Sequence, residues 1–438
     1  MTVSLFEGQQ VELTIEKPAS GGRMIARHLG QVVLVRGAIP GERVRAWIER
    51  ADKRMAYAVT REVVEASPDR RQGGPGDLDP LCGGALYSHI AYERQLAIKS
   101  DVVRDAFARL GRYPIDRAID VAGSPEEGYR MRARFHVHGA RAGFYREGTH
   151  QLCDAAPTRQ LRPDTHAAVE RLAAALDREA GGEVTSITIT ENLDGGERAA
   201  HLELAPRASV SVATLERAAA EAQLAGISAQ EPGAGEPRIA GHPVVADSLA
   251  ALTMDRVTEG TLQRHASSFF QGNRYLLPRL VQAVTDAVPD AGETLDLYAG
   301  VGLFSVALAA IGRLEVTAVE GDRGSGADLR ENARPQAPRL NAHVASVEAY
   351  LAARSRRPAT LIVDPPRTGL SKEAAGSLVR VGPGRIVYVS CDPPTLARDA
   401  RRLIDAGYRL DSLRAFDFFP NTPHVESLAV FLRHPANP

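Results

Sequence analysis

Cysteine, lysine and tryptophan are scarce in this chain. Three cysteines, Cys82, Cys153 and Cys391, serve 438 residues. That is too few for a disulfide framework, so a reducing compartment is expected, with Cys82 and Cys153 as free thiols; a bond between them is geometrically open if their Cα atoms sit close, but not expected there. Lysine occurs only at Lys17, Lys53, Lys99 and Lys372. The remaining cations are arginine, which suits bidentate phosphate contacts and stacking on bases, although a biased genome would produce the same excess. No run approaches the ~18 apolar residues of a membrane span. The N-terminal MTVSLFEGQQVELTIEK lacks a basic stretch followed by an apolar one, so no secretory leader is expected. The formal net charge of -1 does not announce a polyanionic partner, though a basic face on a neutral protein is compatible with it. These absences point to a soluble cytoplasmic protein.

With 438 residues, 44% of them apolar, the chain has enough for two or three globular domains and too much for wholesale disorder. Residues 8 to about 66 alternate apolar and polar side chains in short runs at 11–15, 32–35, 43–49 and 58–64, with glycine and proline between them. This spacing suggests a small barrel of the oligonucleotide-binding kind. Its cations are Arg23, Arg27, Arg36, Arg43, Arg45, Arg50, Lys53, Arg54 and Arg61; they form either an RNA backbone grip or a solvated barrel face. Residues 67–80 read as a turn-rich linker, 92–110 as a helix, and 120–260 as a mixed α+β region without legible chemistry. From about 276 strand and helix alternate. Strands are expected at 294–298, 315–319, 360–363 and 385–389, and helices at 275–287, 303–310, 326–333 and 395–406. That order means a mostly parallel sheet with helices on both faces.

Two sites stand out. In LDLYAGVGLF a strand runs into Gly300 and Gly302 at a helix start, and the next strand ends in Glu320. Glycines allow close backbone approach at a helix N-terminus, and the acid can accept from both hydroxyls of a ribose. The third glycine of a dinucleotide fingerprint is absent, so S-adenosylmethionine and a nicotinamide dinucleotide both remain open. In VYVSCDPPTLARD a β-branched strand ends at Cys391, because Pro393 and Pro394 cannot continue a ladder. A lone cysteine is often a buried structural thiol, but at a strand's C-terminal edge it can also be a nucleophile. Glu426 follows at one helix and one strand's remove, which can return it to the same edge as a base. In DPPR, Arg367 stands where an aromatic would stack in enzymes that methylate exocyclic amines.

The chain resembles the RNA uridine-C5 methyltransferase family over nearly its whole length. FFQGN, DLYAGVG, VEGD, DPPRTG, VSCDPPTLARD and HVES match that family's motifs in order, and residues 8–66 resemble its N-terminal TRAM barrel. The resemblance implies a multidomain α/β protein: a TRAM-like RNA-binding barrel at 1–67, a mixed α+β central domain at 68–264 whose helix at 92–110 packs on the catalytic domain, and a Rossmann-like class I methyltransferase domain at 265–438. It implies S-adenosyl-L-methionine as cofactor, bound by Gln271, Tyr298, Gly300, Gly302, Glu320 and Asp364, with Gln271 alternatively steadying the base. It further implies Cys391 as nucleophile on C6 and Glu426 as the acceptor of the C5 proton. Asn273, Arg367 and Asp392 are secondary candidates, as helix caps or loop supports.

The implied partner is RNA, ribosomal more than transfer, with no DNA, no membrane and a monomeric protein. Many members hold a [4Fe–4S] cluster on four cysteines. Here Cys82 and Cys153 occupy two of those positions and Ala85 replaces a third, so no cluster and no other metal is expected. Leu303 and Ala299 also depart from variants with Asn and Cys. Competing readings are a cytosine-C5 methyltransferase, disfavoured because Ser390 and not proline precedes Cys391, an RNA-binding module with a vestigial site, and a dehydrogenase, which leaves FFQGN and SCDP unexplained.

Overall fold

The computed structural model describes residues 5–72, 78–231, 233, 235–313 and 315–434. The expected linker at 67–80 and the loop at 231–237 therefore lie partly outside the described residues. Five strands, β1 (Gln10–Pro18), β2 (Met24–His28), β3 (Gln31–Arg36), β4 (Arg43–Ala51) and β5 (Met55–Glu65), close a barrel in the order β1-β2-β3-β5-β4. Alternation along β1 and β4 sends Val11, Leu13, Ile15, Val44, Ala46 and Ile48 into its core. β2 is a strand that the sequence pattern did not declare.

Helix α1 (Tyr92–Arg109) follows, then a two-residue strand, β6 (Val121–Ala122). The central region continues with β7 (Arg132–His138), β8 (Arg141–Tyr145), β9 (Leu152–Cys153), α2 (Pro163–Ala180), β10 (Val184–Glu191), β11 (Arg198–Leu204), α3 (Val212–Ala222), β12 (Gly226–Gln230) and β13 (Arg238–Gly241). Its seven strands lie in the order β13-β12-β11-β10-β7-β8-β9. One face carries Ala133, Phe135, Val137, Ile187 and Ile189 and is sealed by Leu172, Leu176 and Leu215 of α2 and α3. A hairpin, β14 (Val244–Ser248) and β15 (Thr261–His265), with the short α4 (Leu249–Leu252) between, leads into the last unit.

That unit alternates α5 (Leu277–Asp286), β16 (Thr294–Leu297), α6 (Leu303–Ala310), β17 (Val316–Glu320), α7 (Arg323–Ala333), β18 (Leu340–Val344), α8 (Val347–Ala353), β19 (Thr360–Val363), α9 (Lys372–Val381), β20 (Arg385–Ser390), α10 (Pro393–Asp405), β21 (Tyr408–Phe416) and β22 (Glu426–Arg433). The eight-stranded sheet runs β18-β17-β16-β19-β20-β22-β21-β6. Its first five strands are parallel, and β22 enters antiparallel between β20 and β21. Apolar layers cover both faces. The eighth strand is β6, paired through Ala415↔Val121 and Phe416↔Ala122. The segment 68–264 is thus not one body, because its β6 completes the methyltransferase-like sheet. Helix α1 is shared as well: Ile98 and Val102 pack into the barrel's cluster, whereas Val103, Ala106 and Phe107 pack against Leu396, Ala397 and Ala400 of α10.

Buried polar groups on α1 fix the chain between β21 and β22. Lys99 is buried and pairs with buried Asp417; its Nζ also donates to the Phe419 carbonyl at 3.1 Å. Gln95 exchanges two hydrogen bonds with Asn421, each of 2.9 Å. The Tyr129 hydroxyl donates to the Pro420 carbonyl at 3.3 Å. Residues 417–421 are therefore held by three side chains that lie about 300 positions earlier in the chain.

The expected free thiols at Cys82 and Cys153 are corrected: the two form a disulfide, with Cα atoms 5.6 Å apart. Cys153 ends the β8–β9 hairpin, and Cys82 bridges to Arg146 just beyond β8, with Gly83 N–H donating to the Tyr145 carbonyl at 3.0 Å. The backbone thus brings both thiols to one edge, within disulfide reach. Both are buried, which shields the bond from attacking thiolates. Ala85, at the third cluster position, is buried beside them.

Two measurements check these contacts. Denatured without reductant, the protein should expose one reactive thiol, Cys391, and three after reduction; three from the outset would contradict the disulfide. Lys99→Met strands Asp417 as an unpaired buried charge, and its denaturant midpoint should report a loss of about 3–5 kcal/mol, much of it recovered in Lys99→Met/Asp417→Leu. A loss that persists in the double variant would contradict the pairing.

Candidate functional site

The cofactor-facing edge begins where β16 stops. Tyr298 takes a positive φ of 59° and Gly302, at the start of α6, one of 95°. A Cβ on Gly302 would come within 2.8 Å of Leu329 Cδ1, so packing demands glycine there. A Cβ on Gly300 would meet nothing within 4 Å, so that glycine leaves an open approach to backbone. Glu320 closes β17, and its carboxylate accepts from Gly300 N–H at 2.7 Å and from Asp322 N–H at 2.6 Å. The strand-end acid and the glycine turn are thus one hydrogen-bonded unit, and each Glu320 oxygen keeps a lone pair for a ligand hydroxyl.

Two more carboxyls join this edge from neighbouring strands. Asp364 follows β19; burial pushes its carboxyl up to about 6, opposed by a hydrogen bond from Gln271 Nε2 at 3.3 Å. Asp296, within β16, is buried and pushed up to about 7 by desolvation. Its Oδ2 accepts from Ser305 N–H at 3.1 Å, whereas Oδ1 has no partner. Nothing in the sequence marks Asp296 beyond its place in DLYAG. Among the described residues no lysine or arginine forms an ion pair with Asp296, Glu320 or Asp364. An edge of three carboxyls without a counter-cation fits a ligand that brings its own positive charge and hydroxyls, as S-adenosylmethionine does with its sulfonium, amino group and ribose. The pyrophosphate of a dinucleotide would meet only repulsion there.

The reaction edge lies beside it. β20 and β22 pair antiparallel up to Ser390↔Ser427, so the next residue on each strand, Cys391 and Glu426, stand opposite one another. Asp392 N-caps α10 by accepting from Thr395 N–H at 2.8 Å, which ends the strand at the thiol. Glu426 is buried, and its Oε1 has no hydrogen-bond partner. Burial raises its carboxyl well above the usual range; the Asp364 charge adds to this and Arg367 opposes it. The Cys391 thiol is pushed up to about 12, first by burial and then by Glu426, while a hydrogen bond and the positive charge of Arg367 pull it down. Arg367 itself is exposed. Asn273 is a support: its Oδ1 accepts from Tyr275 and Leu276 N–H at 3.0 Å, and its Nδ2 donates to Ser124 Oγ at 2.9 Å and to the Phe418 carbonyl at 3.2 Å.

A cavity of about 320 Å³ adjoins these groups, with Arg130, Arg132, Phe269, Gln271, Arg367 and His424 among its walls. Four of these six come from residues to which the sequence gave no role. Arg130 and Arg132 are half-buried cations without a carboxylate partner among the described residues. Phe269 is 63% exposed with the Arg132 guanidinium 5.7 Å from its ring. Burial and the nearby Arg367 push His424 down to about 4, so it is neutral at pH 7. The signal in the sequence was YRMRARFHV, where alternate positions of one strand are basic. Among the described residues no group of three or more His, Cys, Asp or Glu is gathered to hold a metal.

The barrel's cations divide. Arg23 and Arg36 are tied to Glu49 and Glu147, Arg43 to Glu12 and Glu65, Arg45 to Glu62, and Arg27 to Glu16. Arg50 lies 4.2 Å over the Tyr57 ring and Arg61 5.1 Å over Trp47. Much of the expected grip is therefore neutralised by carboxylates of the same barrel and by Glu147 of the central region.

Comparison with known proteins agrees with this architecture. A TRAM domain model matches residues 5–60, and a tRNA (uracil-5-)-methyltransferase model matches residues 351–434. The 23S rRNA (uracil(1939)-C(5))-methyltransferase RlmD of Halomonas elongata is 33% identical, covering 98% of this chain and 90% of its own. The enzyme of the same name from Alkalilimnicola ehrlichii is 33% identical over 96% of each. Among solved structures, the tRNA (uracil-54, C5)-methyltransferase of Pyrococcus abyssi, in complex with S-adenosyl-L-homocysteine, superposes with a TM-score of 0.73 at 25% identity, covering 96% of this chain and 100% of its own. With this whole-length similarity and the ordered motifs at one sheet edge, the chain belongs to the RNA uracil-C5 methyltransferase family.

Proposed function

We propose that this protein methylates C5 of a specific uridine in 23S ribosomal RNA through a covalent adduct between Cys391 and C6. The observation that carries the reading is the pairing of the Cys391 thiol with a buried, unpartnered Glu426 carboxyl across β20 and β22. C5 of uracil is a weak nucleophile. Addition of the Cys391 sulfur to C6, with loss of the thiol proton, gives C5 enolate character. S-adenosylmethionine, when bound, supplies the methyl group that C5 takes up. Glu426 then accepts the C5 proton, the C6–S bond breaks, and the thiolate is released. A carboxyl raised by burial is a stronger base than one in water, which suits removal of a carbon-bound proton.

Gln271, Tyr298, Gly300, Gly302, Glu320 and Asp364 hold the cofactor, with the three acids Asp296, Glu320 and Asp364 facing its positive charge. The uridine must leave its stack to reach Cys391, and the cavity beside Gln271 and Arg367 has room for it. We assign the chemistry to residues 265–438, with β6 lent by the central region, and RNA contact to 1–67 and 68–264. The ribosomal assignment is supported by 33% identity to two enzymes named for 23S rRNA, against 25% to the tRNA enzyme. The site is built from one chain, so a monomer suffices. Among the described residues no helix is long and apolar enough to cross a membrane, and we place the protein in the cytoplasm with its RNA. The polymer in this reading is RNA and not DNA, and Cys82 and Cys153 enter it as a disulfide and not as cluster ligands.

Cys391→Ala should abolish methyl transfer from labelled S-adenosylmethionine while cofactor affinity stays within a few-fold, and retained turnover would remove Cys391 from the mechanism. Glu426→Gln should accumulate an RNA adduct that survives denaturation; release of methylated RNA at the normal rate would show that Glu426 is not the base. Because the free-enzyme thiol is pushed up to about 12, alkylation of Cys391 by iodoacetamide should climb about tenfold per pH unit from 7 to 9. A plateau near neutrality would mean that the thiolate is already formed.

A further inference from the structure

Helices cover one side of the seven-stranded central sheet; on the other, Val245 and Ala266 pack on Ala199 of β11, while Arg134, His138 and Arg141 of β7 and β8 stay exposed. The helices that pack on it, α2 and α3, both lie against its apolar face. The opposite side of β7 presents Arg132, Arg134, His136 and His138, because alternate residues share a face. Register places Ser186 beside His136 and Thr188 beside Arg134 on β10, and then His201 beside Thr188 on β11. This face is polar, cationic and aromatic. Tyr145 of β8 stacks on His136 with ring centroids 3.6 Å apart and planes 6° from parallel, and His150 meets Tyr145 edge-on at 5.3 Å.

The face runs into the cavity beside Gln271 and Arg367, since Arg132 and Tyr145 belong to both. Its charge is not balanced. Arg134 pairs with Glu203, but among the described residues Arg132 and Arg141 have no carboxylate partner. Arg132 Nε is buried without any acceptor, and its positive charge sits close to those of Arg130 and Arg134. A half-buried guanidinium crowded by two others is costly unless an anion completes it. By contrast, five barrel arginines are already paired with carboxylates.

We propose that the open β7–β8 part of the helix-free face is an RNA track, on which the single strand flanking the target uridine lies with its phosphates toward Arg132, Arg134 and Arg141 and a base against the His136–Tyr145 rings. This deepens the reading given above and rests on RNA being the substrate. Open sheets that offer stacking rings and cations suit unpaired strands, because every base has a π-face and every nucleotide a phosphate. The track would deliver the strand to Phe269 and the cavity without needing sequence readout along its length.

The test uses the full chain saturated with S-adenosylhomocysteine and a fluorescent oligouridylate of about 12 nucleotides. Arg134→Glu/Arg141→Glu should weaken binding about tenfold or more. Arg134→Gln/Arg141→Gln should flatten the plot of log Kd against log salt by about 1.4, at about 0.7 per lost contact. The matched swap on the helix-covered side, Arg178→Glu/Arg217→Glu, should leave both unchanged. S-adenosylhomocysteine affinity and the melting profile, measured alongside, report folding. An oligonucleotide carrying 4-thiouridine should crosslink to peptides of β7 and β8. Unchanged affinity in the sheet-face variants, an equal loss in the helix-side variant, or crosslinks confined to the barrel would each overturn the track. Because binding is read without turnover, absence of methyl transfer would sink the proposed activity while leaving this result standing.

Discussion

The antiparallel register of β20 and β22 is the constraint on which the site depends. Ser390 opposite Ser427 puts Cys391 opposite Glu426, and a slip of one residue would send one of the pair to the other face of the sheet. Register is held by apolar packing on both sides, with Val387, Val389 and Leu428 in one layer and Ile386, Tyr388, Ala429 and Phe431 in the other. It is held also at the end of the connection. Residues 417–421 enter β22 clamped by Lys99, Gln95 and Tyr129. Helix α1, far from Glu426 in sequence, thereby helps fix its position.

Electrostatics divides the molecule in a way its net charge conceals. Asp296, Glu320, Asp364 and Glu426 gather at one sheet edge, three of them raised by burial. Arg130, Arg132 and Arg367 gather across the adjoining cavity. The first set invites a cationic cofactor and the second an anionic polymer, and Gln271 and Arg367 stand where the two meet. In the free protein burial holds the Cys391 thiol protonated and raises the Glu426 carboxyl, so the proposed attack calls for a change of charge around them. Arg367 is placed for that change, because it already acts on both Cys391 and Glu426.

The sequence made the catalytic half legible wherever a β-branched run met a glycine or proline. Thr360–Val363 and Leu303–Ala310 coincide with β19 and α6, and β20 extends the expected strand by one residue. The Gly300–Glu320 unit was readable because spacing encodes a strand, a turn and a helix. Long-range features were not. Nothing local marks β6 as an edge strand of a sheet almost 300 residues later, nor Lys99 as the partner of Asp417. Arg130 and Arg132 were hidden because an alternating basic strand reads as a solvated edge until its neighbours are known. The Cys82–Cys153 bond runs against the expectation of free thiols, because the closeness of the two Cα atoms is set by a hairpin edge that the sequence does not display. The barrel misled in the other direction, since a count of arginines says nothing of Glu49, Glu62 and Glu147 beside them.

The most direct test of the central claim uses RNA transcribed with 5-fluorouridine. Fluorine at C5 leaves Glu426 no proton to accept, so a reaction that has passed through addition and methyl transfer must stop with the base still on sulfur. With S-adenosylmethionine present, mass spectrometry of the digested complex should find a methylated fluorouridine on the peptide that carries Cys391. Unmodified Cys391 together with methylated RNA, or an adduct on any other residue, would contradict the account.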